Sequence, residues 1–230
     1  MTQSTASPNH SPAQLPPALA EQLAGLRLTG GRPLLVVDAD EVLFYFMRGF
    51  ERHLIERGLY FNWASYALSG NIRHKNTDEP VSTEELAPLL DRFFATATHS
   101  LDPVDGAAES LRRLSDLADI VVLSNLPLHA KSAREMALAQ HGMAYPLIAN
   151  TGAKGPAMAA LVAHAPRRAA FLDDIPHNHA SVAKAAPMVH RVHFIADARL
   201  AALLPPSEHC QHRADSWAEI EPHLAAHLSA

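Results

Sequence analysis

The 230-residue chain has a single cysteine, Cys210, which excludes an intrachain disulfide and leaves a reducing, cytoplasmic setting as the expectation. Positive charge is not in excess: 19 Lys and Arg face 24 Asp and Glu, for a net charge of −5. That balance argues against a globally basic nucleic-acid binder. No apolar run reaches the length needed to cross a bilayer, so no membrane partner is expected. Aromatic residues make up 6% of the chain, and no internal repeat is visible. Two common catalytic signatures are also missing. There is no HExxH pair among the 15 histidines, and no G-x-x-x-x-G-K-[ST] phosphate loop. The first thirty residues are rich in Pro, Ser, Thr and Ala and lack the charged start and apolar centre of a secretory signal. Residues 1–30 read as an N-terminal extension, with 1–15 mobile and 16–28 a short helix.

What is present is five short apolar runs: LLVVD (34–38), DIVVLS (119–124), PLIAN (146–150), AAFLDD (169–174) and HRVHFI (190–195). Unbroken apolar runs suit strands buried on both faces, as in a parallel sheet. Helical stretches separate them: Ala107–Leu117, Leu128–His141, Pro156–His164 and Ala180–Ala186, with SWAEIEPHLAAHL closing the chain. This alternation predicts an α/β, doubly wound (Rossmann-like) parallel sheet of five or more strands. About 80 residues lie between the first two strands, far more than a crossover needs. Met47, Phe50, Leu54 and Ile55 share one helical face, and Ser82 with Glu85 forms a capping-box pattern ahead of ELAPLLDRFFATA, with Pro88 inside. A small helical domain over 46–101 is therefore expected, inserted into a core formed by 31–45 and 102–230.

In such sheets ligands bind beyond the carboxyl ends of the strands. The first run ends in Asp38-Ala39-Asp40, the second in Ser124-Asn125, and the fourth in Asp173-Asp174, followed by Asn178. Lys154 follows the third run, just before a helix. Each piece alone is a common turn or helix cap. Their order after four successive runs is much harder to obtain by chance.

This set resembles the haloacid dehalogenase-like superfamily in its phosphohydrolase branch. The D-x-D-x-[TV] motif matches Asp38-Ala39-Asp40-Glu41-Val42, the strand ending in Ser or Thr matches VVLS with Ser124, the lysine before a helix matches Lys154, and the acidic pair matches Asp173, Asp174 and Asn178. The resemblance spans 38–178 and implies a cap domain where the long insertion lies. Glu41 departs from the glycine common at that position; a solvated turn residue is expected.

The resemblance implies phosphatase chemistry. Phosphoryl transfer needs a nucleophile, a proton donor for the leaving oxygen and compensation of phosphate charge. Asp38 would attack to give an aspartyl-phosphate, and Asp40 would act as general acid and then base. Mg²⁺ would be held by Asp38, the Asp40 carbonyl and Asp174, with Asp173 a further possible ligand and Asn178 orienting the acidic loop. Ser124, Asn125 and Lys154 would bind the phosphoryl group. Dehalogenases of the family lack an acid at the second position, so Asp40 points to a phosphatase or a phosphomutase; a non-catalytic phospho-ligand-binding protein is the alternative from another class. In the insertion, Arg73 and Lys75 of SGNIRHKN are candidate contacts to a second anionic group of a small phosphorylated substrate, against the plainer reading of a solvated loop. Tyr60, Phe61, Trp63 and Tyr66 read as insertion core. His177 and His179 read as surface or supporting groups, since Mg²⁺ prefers oxygen.

Overall fold

The computed structural model describes residues 15–163 and 168–230. The expected mobile tail (1–15) lies almost wholly outside them. In chain order the elements are α1 (Pro17–Gly25), β1 (Leu34–Val37), α2 (Phe46–Ile55), β2 (Leu59–Phe61), β3 (Ile72–His74), α3 (Thr83–Ala97), α4 (Ala107–Leu114), β4 (Asp119–Asn125), α5 (Lys131–Gln140), β5 (Leu147–Asn150), α6 (Gly155–Ala163), β6 (Ala169–Asp173), α7 (Pro176–Ala185), β7 (His190–Phe194), α8 (Ala198–Leu203), β8 (His212–Ala214) and α9 (Trp217–Ser229).

Six strands form one sheet in the order β5-β4-β1-β6-β7-β8, every adjacent pair parallel. The five apolar runs supply five of them. The sixth, β8, is three residues of His-Arg-Ala, which carry no apolar run to read. Side chains alternate across the sheet. Leu34 and Val36 pack with Leu19, Met158, Leu161 and Val182 from α1, α6 and α7. Leu35 and Val37 pack on the other face with Leu111, Leu138, Trp217 and Ile220 from α4, α5 and α9. The result is the expected three-layer, doubly wound arrangement, with the strand order reversing at β1.

Edge strand β5 is covered by a side chain. The Gln22 amide of α1 donates to the Ala149 carbonyl and accepts from the Ala149 N–H, both at 2.9 Å.

The long interval after β1 holds more than helices. α2 and α3 are joined by β2 and β3, which form an antiparallel pair. The small helical domain expected here is built mainly on α2 and α3, and the β2–β3 pair is an addition to that expectation. Three-residue strands separated by residues 62–71 leave too short an alternating pattern to detect. The Ser82–Glu85 capping box is formed, with both reciprocal bonds present, and α3 runs through Pro88 without a break. The chain leaves and re-enters the core side by side: Phe44 bridges Pro103, and the Tyr45 N–H donates to the Asp102 carbonyl at 2.9 Å. Met47, Phe50 and Phe93 of the insertion join the same apolar cluster as Leu35 and Val37.

Four histidines meet at the far side of the sheet. His190 of β7 stacks on His227 of α9 with ring centroids 4.4 Å apart, His212 of β8 stacks on His223 at 4.1 Å, and the His190 and His223 Nε2 atoms are 2.8 Å apart. Burial, reinforced by His227, His223, His212 and Arg191, pushes His190 down to about 4. The folded state therefore refuses a proton that the unfolded chain accepts near its ordinary value of 6.5. Stability is expected to fall as pH drops from 6.5 toward 4. Melting temperature against pH tests this, and His223→Gln should flatten the decline. An equal slope in the variant would remove the cluster from the explanation.

Candidate active site

Asp38 follows β1 directly, its N–H bonded to the Leu172 carbonyl of β6 at 2.9 Å. The apolar strand fixes its backbone, and the reversal of strand order opens a crevice above it. Asp38 Oδ1 accepts from the Ala39 N–H at 2.7 Å and lies 2.8 Å from Lys154 Nζ. Asp38 Oδ2 makes no hydrogen bond among the described residues. Lys154 is fully buried (0% exposed) and also donates to Asp173 Oδ2 at 2.7 Å. It thus bridges two carboxylates from neighbouring strands.

Asp173 is saturated by the protein. Its Oδ1 accepts from the Ile175 N–H at 2.8 Å and from Asn178 Nδ2 at 2.9 Å, while Oδ2 takes Lys154. Asp174 makes no side-chain hydrogen bond among the described residues. Two buried histidines brace this acidic pair through its backbone: His179 Nε2 lies 2.8 Å from the Asp173 carbonyl, and His193 Nε2 lies 2.9 Å from the Asp174 carbonyl. The His193 Nδ1 accepts from the Ser207 N–H at 3.2 Å, so Nε2 carries the proton and donates. His179 is therefore a buried support, and His193 is a second one, hidden within an apolar run. His177 is exposed at the cavity wall.

Helices α6 and α7 approach closely here. A Cβ on Gly155 would collide with the Ser181 carbonyl oxygen, so glycine is what lets α6 and α7 come this close beside Lys154.

Asp38, Asp173 and Asp174 offer oxygen atoms that all lie within 4.8 Å of one another. The crowding is visible in their protonation. Burial, opposed by Lys154 but reinforced by Asp173 and Asp40, pushes the Asp38 carboxyl up to about 7. Burial together with Asp173, Asp38 and Glu41 raises Asp174 well above its ordinary value. For Lys154, burial acts to lower the ammonium, yet Asp173 and Asp38 outweigh it and leave it raised. One ammonium against three buried carboxylates leaves an excess of negative charge, and an all-oxygen donor set suits a hard divalent cation. Ser124 Oγ, fully buried at the end of β4, has no hydrogen-bond partner among the described residues. Asn125 next to it is held by Asn150 at 2.7 Å and by the Gly152 carbonyl at 2.9 Å.

Asp40 meets a residue the sequence reading did not single out. Arg134 of α5 is 0% exposed, and its Nη2 lies 2.7 Å from Asp40 Oδ1. The ion pair is not directed along an N–H, and no guanidinium nitrogen makes a hydrogen bond. The Phe44 ring lies under the guanidinium at 5.3 Å. The available signal was a charge on an apolar face, since Arg134, Ala137 and Leu138 fall at i, i+3 and i+4 and are buried together.

Glu41 is corrected from solvated to buried. Its φ of 57° is left-handed, which explains why glycine suits the position. Its Oε1 accepts from the Met47 N–H at 2.7 Å, capping the first turn of α2. Its Oε2 is buried without a partner, and burial foremost pushes the carboxyl up to about 8.

A cavity of about 510 Å³ lies between this carboxyl edge and the insertion, lined by Asp38, Asp40, Asn125, Asp174 and Asn178 on the core side. Arg73 and Lys75 do not line it: Arg73 donates to the Asp78 carbonyl at 2.6 Å, and Lys75 is exposed. Of the four aromatics placed in the insertion core, Tyr66 lines the cavity, and Tyr60 is at the surface bonded to Asp78.

No protein-family model and no curated protein matches the chain. Comparison with solved structures gives many matches. A conserved haloacid dehalogenase-like protein of unknown function from Agrobacterium tumefaciens aligns at 18% identity and TM-score 0.56, covering 85% of this chain and 99% of that one. The chain has the haloacid dehalogenase-like fold. A second protein of this fold is a HAD family hydrolase from Deinococcus radiodurans R1 with bound phosphate and sodium, 17% identical over 86% of this chain and 97% of that one, at TM-score 0.56. A haloacid dehalogenase-like hydrolase from Streptococcus pneumoniae aligns at 13% identity and TM-score 0.58, covering 84% and 98%. Among the described residues, no helix is long and apolar enough to cross a membrane.

Proposed function

We propose that the protein is a Mg²⁺-dependent phosphatase that hydrolyses a small phosphorylated substrate through an aspartyl-phosphate on Asp38. The observation that carries this reading is the division of labour at the end of β1. Lys154 and the Ala39 N–H hold Asp38 Oδ1, leaving Oδ2 without a partner among the described residues in a side chain that lines the cavity, while Asp40 sits two residues on, paired with Arg134.

Asp38 Oδ2 would form a bond to phosphorus as the ester P–O bond breaks, and Asp40 would deliver its proton to the departing alcohol oxygen. Water would then attack the aspartyl-phosphate and give its proton to Asp40, releasing inorganic phosphate and restoring Asp38. Lys154 and the free Ser124 hydroxyl, buried just behind the cavity lining, would hold the phosphoryl oxygens, with Asn125 beside them at the wall. Asp38, Asp174 and the Asp40 carbonyl would hold Mg²⁺, which when bound offsets the phosphate charge. Asp173, with both oxygens engaged, serves to position Lys154 and Asn178. Residues 46–101 act as the cap that shields the cavity from water. Arg134 positions Asp40, because it is the buried cation beside that carboxylate.

Hydrolysis of p-nitrophenyl phosphate with Mg²⁺, lost in EDTA, is the expected result. Release of free inorganic phosphate separates this reaction from a phosphomutase. Arg134→Met should slow phenyl phosphate more than p-nitrophenyl phosphate, because the poorer leaving group depends more on a well-placed acid. Equal slowing of both would reduce Arg134 to a packing role.

A further inference from the structure

We infer that the alcohol released by this enzyme is uncharged and largely apolar, an aryl or alkyl group rather than one bearing a second phosphate or carboxylate. This rests on the phosphatase reading and adds the class of leaving group to it.

The argument is the composition of the cavity beyond the acidic floor. On the insertion side its wall is Phe46 and Met47 of α2, Leu68 of the loop between β2 and β3, and Leu90 and Phe94 of α3; Leu200 of α8 completes it. The residue with a polar side-chain group on the insertion wall is Tyr66. Among the described residues, no lysine or arginine lines this cavity, whereas four carboxyl groups do: Asp38, Asp40, Glu41 and Asp174. A second anion on the leaving group would lose water, meet no lysine or arginine, with His177 the one imidazole at the wall, and face like charges.

The insertion does carry cations, but none of them lines this cavity. Arg48 stacks on the Tyr45 ring at 3.5 Å, and Arg52 pairs with Asp102 at 2.8 Å. Arg73 is tied to Asp78, and Arg57 and Arg92 line a separate cavity. Lys75 is exposed away from the wall. The volume of about 510 Å³ is within the range of small-molecule sites and leaves room for an aromatic ring beside the phosphoryl group.

The test is a matched pair, phenyl phosphate against 4-carboxyphenyl phosphate, which differ by one carboxylate far from phosphorus. For the native protein with Mg²⁺, kcat/KM is expected to favour phenyl phosphate by on the order of thirtyfold or more. Leu90→Arg places a cation in the half-buried wall and should narrow or reverse that preference. Leu68→Lys, on a loop, makes the same test should the helix variant fold poorly. Equal or faster hydrolysis of the carboxylated ester by the native protein overturns the inference while leaving the phosphatase reading intact. A preference unmoved in both folded variants overturns it too, since the wall would then not touch the leaving group. Hydrolysis of neither ester, nor of p-nitrophenyl phosphate, overturns the phosphatase reading and this inference with it.

Discussion

Asp38→Asn is expected to lower phosphate ester hydrolysis by at least about a thousandfold while leaving the fold intact. A carboxamide has the shape of the carboxylate but is not a nucleophile toward phosphorus. It also removes a charge that the folded state resists. Asp38 is pushed from 3.8 up to about 7, so the folded chain holds a proton there more readily than the unfolded chain does. By linkage, that group's contribution to stability falls as pH rises through this window. Asparagine removes that group's share of the slope, and Lys154 keeps its bond to Asp173. In metal-free buffer at pH 8 the variant should therefore melt no lower than the native protein. The paired measurement matters: a lost rate with an unchanged melt is chemistry, and a rate within tenfold of native would exclude Asp38 as nucleophile.

Lys154→Met is expected to do the opposite to stability. The ammonium lies within 2.8 Å of two carboxylates from different strands and is wholly buried. Removing one partner of a buried ionic group strands the others, at a cost of about 3–5 kcal/mol. For a chain of this size that corresponds to a fall in melting temperature of roughly 6–20 °C. Asp38→Asn/Lys154→Met should recover part of the loss, because one of the two stranded charges has gone. Melts in EDTA at neutral pH decide the matter. A Lys154→Met protein as stable as the native one, or a double variant less stable than the single, would show that Lys154 does not balance these carboxylates.

Why were some parts of this molecule legible in advance and others not? Strands buried on both faces must be apolar throughout, so LLVV, IVVL and AFL announce themselves, and the polar groups at their ends stand out against them. Local rules also reached the Ser82–Glu85 cap. They did not reach β8, whose residues are recruited by the strand beside them, or the β2–β3 hairpin, which is too short to show a period. Arg134 was hidden for a different reason. Its partner, Asp40, is far away in sequence, and only the packing of α5 into the shared apolar core brings them together. Glu41 was misplaced because exposure was inferred from residue type. Its burial follows from the turn that folds Val42, Leu43 and Phe44 back against Pro103. The character of the cavity wall was out of reach for the same reason, since its residues come from α2, α3, α8 and a loop.

The side-chain cover on β5 has one more consequence. An open edge strand is a template on which another chain can add itself, strand by strand, into an aggregate. Gln22 occupies both backbone groups of Ala149 that such a recruit would need. The opposite edge, β8, is only three residues long. The sheet thus ends at one side in a borrowed amide and at the other in a strand too short to seed growth, and α1 acts as a chain terminator for polymerisation of the fold.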